Sequence, residues 1–339
     1  MIGFHPPLTF ACELDSRDFQ NLFADPQLIE KLKLLEAEIT VGLKDFTDER
    51  AEVILRLNQA GIPVTAWLLL PVEQGYWFNL DNVAFAEQRY LDFLAWTKKY
   101  QLNWLRVGLD IEPDIRMIQS FKQGIFPGLR QVIQKIRTRN RRDESCSRYR
   151  ALVHQIQTDG FSVESYQLPL CVDARLANST LLEHLLGILD LSVDHEVLMT
   201  YSSFSRPFGS AIMWNYGRNT SAIGIGSTGG GVDLEGVADT RPINWDELRN
   251  DLLIAHRLKN DIFIFSLEGC LEQGYLDQII ALDWNEKPGQ FPYQTLVKIV
   301  RKIIQAGFSI ITRPWMIIFG LIIFCLFRRR NERIQKQSF

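Results

Sequence analysis

The stretch Asn103–Asp114, NWLRVGLDIEPD, closes a strand-forming run with two carboxylates two residues apart, Asp110 and Glu112. Alternate residues of a strand share a face. Asp110 and Glu112 therefore point the same way, above Gly108 and Arg106, while Leu105, Val107, Leu109 and Ile111 make the opposite, apolar face. Two carboxyls held close perturb each other: the charge on one raises the pKa of the other, leaving an acid and a base in one place. That is what hydrolysis of a glycosidic bond requires, one carboxyl protonating the leaving oxygen and another serving as nucleophile or base. Glu112 is the candidate general acid. The structural alternative is a buried Arg106–Asp110 ion pair beside a solvated strand-end glutamate.

Other apolar runs end on similar groups. LTFACEL (8–14) ends on Glu13, EITVGLK (38–44) on Lys44, and VTAWLLL (64–70) leads into an aromatic-rich loop carrying Glu73, Tyr76 and Trp77. YQLPLCVDA (166–174) carries Asp173, EVLMTYS (196–202) carries Tyr201, SAIGIGS (221–227) is a seventh run, and DIFIFSLEG (261–269) ends near Glu268. Helical patterns lie between them, as in 48–61, 82–101 and 245–259. Eight strands alternating with helices imply parallel pairing and an α/β fold, a (β/α)8 barrel over residues 1–305, with a doubly wound open sheet as the second choice. In a barrel the C-terminal strand ends form the active-site mouth. Glu112 and Glu268 then face each other as a catalytic pair. Glu13, Lys44, Glu73 and Asp173 become substrate-binding groups, and Trp67, Tyr76, Trp77 and Trp214 become platforms for sugar rings.

Two motifs add a resemblance. GLDIE at the end of strand four resembles the Asp-x-Glu end of the chitinase-like family 18 glycoside hydrolases, and LMTYS (198–202) is similar to their Met-x-Tyr motif. The resemblance implies Glu112 as general acid, Asp110 as the group orienting a substrate acetamido nucleophile, and Tyr201 as its stabiliser.

Composition narrows the rest. A net charge of -3 gives no field for nucleic acid. The five cysteines are scattered and form no CxxC, and the five histidines lack metal-ligand spacing, so no metal site or cofactor is expected. GIGSTG (224–229) reads as a loop after strand seven rather than a dinucleotide site, and no P-loop occurs. No signal peptide is expected at the N-terminus. Residues 306–339 combine a nearly unbroken apolar run with RRRNER, which reads as a C-terminal membrane anchor, a buried last helix being the alternative. The side of the membrane stays open. The expectation is a membrane-associated, glycoside hydrolase-like barrel with a carbohydrate substrate. The alternative is a catalytically inactive barrel that binds glycan or serves as a tethered interaction module.

Overall fold

Short runs of Val, Ile, Phe and Leu bounded by Gly, Pro, Asp or Asn favour brief buried strands. In the computed structural model, which describes residues 5–114, 139–230 and 241–313, eight such strands form a closed parallel barrel in sequence order. They are β1 (Leu8–Cys12), β2 (Glu38–Leu43), β3 (Val64–Leu68), β4 (Arg106–Asp110), β5 (Ser162–Gln167), β6 (His195–Met199), β7 (Ala222–Gly226) and β8 (Asp261–Phe265). β8 pairs with β1, Ala11 lying opposite Phe265, so no edge is left open.

The period-two pattern sorts the side chains into two apolar shells. Phe10, Ile39, Val107, Leu109 and Ile223 face the helices in one large core. Ala11, Trp67, Tyr166, Val197, Met199 and Phe263 fill the barrel interior. Gly108 is what admits Tyr166: a Cβ there would lie 2.6 Å from the phenol oxygen.

The helices begin where capping chemistry puts them. Thr47 caps Asp48–Gln59 through a bond from the Arg50 amide, and Asn244 with Glu247 forms a capping box on Trp245–Leu258. The structure moves two expected boundaries. β5 is Ser162–Gln167, not 166–174, because Pro169 opens a helix, Pro169–Leu176, that carries Asp173. β8 stops at Phe265, where Ser266 caps the helix Leu267–Glu272, so Glu268 sits in a helical first turn rather than on a strand.

The N-terminal floor of the barrel is a charge network. Arg106 Nη1 lies 2.7 Å from Glu38 Oε2 and 3.5 Å from Glu164 Oε2. His195 Nδ1 is 2.8 Å from the same Glu164 oxygen, and its Nε2 is 3.7 Å from Asp261. The Arg106–Asp110 pair allowed by the sequence does not form, because Arg106 is committed to the floor two layers below.

The helix Gln294–Thr312 is fastened by Asp173. Arg301 reaches the fully buried Asp173 carboxylate at 2.9 Å, Gln305 Nε2 donates to it at 2.7 Å, and the guanidinium lies 3.7 Å from the Tyr216 ring centre. Among the described residues, no helix is long and apolar enough to cross a membrane. The expected anchor falls mainly on residues 314–339, outside the described residues.

Burial alone would lower the His195 pKa, but the neighbouring carboxylates of Asp261 and Glu164 outweigh that and raise it to about 9. A pKa raised on folding gives stability that is complete below the ordinary histidine value and lost as pH climbs through about 9. His195→Phe is expected to cost about 3 kcal/mol at pH 6, the scale for removing one partner of a buried pair. By denaturant unfolding the deficit should shrink at pH 9.5; an equal deficit at both pH values would contradict the network.

Candidate active site

Each side chain at the mouth is held by a distinct local device. Arg50, on the helix after β2, has a completely buried side chain. It donates to the Leu14 carbonyl at 2.9 Å and the Gly42 carbonyl at 3.2 Å, tying the ends of β1 and β2 together beside Glu13. Asp45 balances the guanidinium; despite burial, bonds from Arg50 and Ser16 hold its carboxyl down at about 2.

The loop between β3 and the helix Val83–Tyr100 is stitched to the end of β4. The Phe78 amide donates to the Asp110 carbonyl at 2.9 Å, and the Glu112 amide to the Phe78 carbonyl at 3.0 Å. Asn82 Nδ2 holds the Gln74 and Trp77 carbonyls at 3.0 and 2.9 Å. Gly75 (φ 109°) and Tyr76 (φ 63°) are both left-handed, which turns the chain so that the Tyr76 hydroxyl donates to Glu13. The aromatic loop thereby fixes two carboxyls at once.

These devices enclose a cavity of about 330 Å³ whose wall includes Glu13, Asp110, Glu112, Trp67, Trp77 and Tyr201. Among the described residues, the rest of the wall is largely apolar and includes no lysine, arginine or histidine. Trp67 Nε1 donates to Asp110 Oδ2 at 3.1 Å, and Asp110 Oδ1 is buried with no hydrogen-bond partner among the described residues.

Burial, then the charges of Glu112 and Glu13, raise Asp110 well above the usual carboxylate range. Glu112, partly exposed to the cavity, is pushed up to about 7 by burial and by Glu13, while a proton on Asp110 favours its ionised form. Glu13 is also raised to about 7, burial and Glu268 outweighing the opposite pull of Tyr76 and Lys44. The mouth thus holds more acid than it can ionise at neutral pH.

The remaining candidates lie further out. Glu268 accepts the Glu13 amide at 3.3 Å through Oε1, its Oε2 has no hydrogen-bond partner among the described residues, and burial raises its pKa. It is behind the wall rather than in it, against Gly230. Lys44 pairs with Asp15 at 3.5 Å, and Glu73 is exposed on a short 3-10 turn. Asp173 is spent on Arg301 and Gln305. Trp214 lies outside the cavity, its ring 5.0 Å from that of Phe291. Tyr201 does face the cavity, beside Phe204 and Phe265.

Sequence reasoning missed Tyr166, Met199, Phe204 and Phe265 in the wall. The misplaced β5 hid Tyr166. Two of the others were within reach of the alternation rule, since Met199 and Phe265 point inward at the last positions of β6 and β8.

No protein-family model matches the chain, and no curated protein matches it. Solved structures do. A xylose isomerase domain protein from Planctomyces limnophilus is 13% identical, with a TM-score of 0.43, covering 82% of this chain and 98% of that one. HMG-CoA lyase from Brucella melitensis is 11% identical, with a TM-score of 0.37, covering 88% and 99%. Dihydropteroate synthase from Thermus thermophilus is 11% identical, with a TM-score of 0.29, covering 81% and 94%. Likeness this distant carries nothing about substrate or reaction.

The resemblance to family 18 glycoside hydrolases is overturned: no family model supports it, and the similar structures are of other kinds. The local chemistry differs as well. Tyr166 fills the space over Gly108, and Ser202, after Tyr201, turns away to donate to the buried Asp251.

A carboxyl raised on folding loses stability as pH rises from its ordinary value through its folded one, and the loss persists above that. Asp110→Asn retains an acceptor for Trp67 and removes the charge. Its melting temperature is expected to exceed wild type by a few degrees at pH 8 and to match it at pH 4. No gain at pH 8 would contradict the burial of an unpaired acid.

Proposed function

We propose that this barrel hydrolyses a glycosidic bond by acid–base catalysis in the cavity at its C-terminal mouth, with Glu112 as the general acid. One observation carries the reading: Glu112 reaches an aromatic-walled cavity with its pKa raised to about 7, beside two further carboxyls. A carboxylic acid still protonated near neutrality can give a proton to a leaving oxygen. Trp67, Trp77 and Tyr201 offer flat apolar faces to the apolar faces of sugar rings. Glu13 is better placed than Glu268 to supply the partner carboxylate, because Glu13 lines the cavity and Glu268 stands behind it.

Among the described residues the wall has carboxyls and no cationic side chain, which would repel anionic sugars and favours a neutral sugar as substrate. Asp110 acts on Glu112 rather than on substrate. Buried beneath it, Asp110 keeps its own proton and sets the acidity of its neighbour.

The test is hydrolysis of a panel of neutral aryl glycosides and oligosaccharides. Glu112→Gln should lower kcat by about 10²–10⁴-fold, the usual worth of one acid–base group, with little change in KM. One carboxyl must be protonated and another ionised, and Glu13 and Glu112 both titrate at about 7. The wild-type kcat/KM should therefore peak near pH 7 and fall on both sides. Full activity in Glu112→Gln would overturn the assignment, and oligosaccharide binding without cleavage by wild type would reduce the site to a glycan-binding one.

A further inference from the structure

The helix Gln294–Thr312 has one more apolar face than the barrel uses. Val297 and Phe308 are buried, and Arg301 and Gln305 on the same side hold Asp173. At 100° per residue these four positions share an arc of about 80°. Leu296, Ile299, Val300, Ile303, Ile310 and Ile311 fall on a second arc, roughly opposite and about 120° wide. All six are exposed, Ile303 at 65% and Ile311 at 58% of their full surface. A helix packed once needs one stripe; a continuous exposed stripe of this size marks an interaction surface.

Charge is arranged along one flank of this stripe. Lys298 and Lys302 project between the two apolar arcs and border a surface recess of about 560 Å³ shared with Arg218 and Trp214. The three cations are exposed, and Arg218 lies 4.8 Å from the Trp214 ring centre. Among the described residues, no acidic group lines this recess. An apolar face with Lys302 about 60° beyond its edge, and Lys298 and an indole further round on the same side, has the pattern of a helix lying in the interface of an anionic bilayer, the long lysine stems reaching back to the headgroups. The sequence continues in the same sense, from Arg313 into Trp315–Phe327, which has no charged residue, and then Arg328–Arg330.

We propose that the exposed face of Gln294–Thr312 lies flat on an anionic lipid surface, with Lys298, Lys302 and Arg218 taking the headgroup phosphates. A second copy of this chain would also cover the stripe, but it would bring its own lysines against these, which the lipid surface does not.

The test keeps the full chain. An environment-sensitive fluorophore is placed on Ile303→Cys in a Cys325→Ser background, where the remaining cysteines are buried. The probe should shift to the blue with phosphatidylcholine vesicles containing 30% phosphatidylglycerol and be quenched by brominated acyl chains. With phosphatidylcholine alone the response should be weaker. Lys298→Glu with Lys302→Glu should weaken binding by about tenfold at low salt, and Ile299→Glu by about as much. Vesicle flotation with the probe still in water would show that another part of the chain does the anchoring and would overturn the proposal. Shielding of the probe without vesicles, with a doubled mass by light scattering, would overturn it in favour of a second copy.

Discussion

The structure turns on a mismatch of charge inside the barrel. Among the described residues, Arg106 sits at the floor, shared by Glu38 and Glu164, with His195 beside it on the same Glu164. Among the described residues, nothing comparable serves Asp110 and Glu112 at the other end of the lumen, where they meet Glu13 among tryptophans, tyrosines and phenylalanines. Ionising all three in an apolar cavity would cost more than their mutual geometry returns, so protons are retained instead. Proton-holding carboxyls near neutral pH follow from where the arginine was placed.

The rest of the fold keeps that arrangement from relaxing. Glu13 could escape burial by moving outward, but Arg50 pins the chain on either side of it and Tyr76 holds its carboxylate. Glu112 could swing to solvent, but its amide is bonded to the Phe78 carbonyl and the loop above is cross-braced by Asn82. Tyr166, admitted by Gly108, fills the lumen below Asp110. Stability is spent to hold acid in one place, as is common at reactive sites.

The barrel was legible because eight apolar runs, spaced by amphipathic helices with ordinary caps, leave few other ways to satisfy the backbone. Asp110, Glu112, Glu13, Trp67 and Tyr201 were legible for the same reason, since strand alternation and strand ends place them. What failed had local causes. The YQLPLC run looks like a strand, yet the true β5 carries the lumen-facing Glu164, which makes it look too polar; hence Asp173 was sent to the mouth when it anchors a helix. Glu268 was read as a strand end because capping by Ser266 is a single-residue signal inside an apolar run. Trp214 was expected as a sugar platform and packs on Phe291 outside the cavity, since composition does not say which side of a helix an indole packs on. Two short motifs suggested a family that three-dimensional likeness does not support, because Asp-x-Glu at a strand end follows from barrel geometry as readily as from descent.

The most direct test of the account is the titration of the mouth carboxyls, followed by carbon-13 NMR of the labelled side chains from pH 3 to pH 9 and assigned with Glu13→Gln, Asp110→Asn and Glu112→Gln. The account predicts that Glu112 and Glu13 titrate at about 7 and that Asp110 still holds its proton there. Three ordinary carboxyls, all ionised by about pH 5, would contradict it.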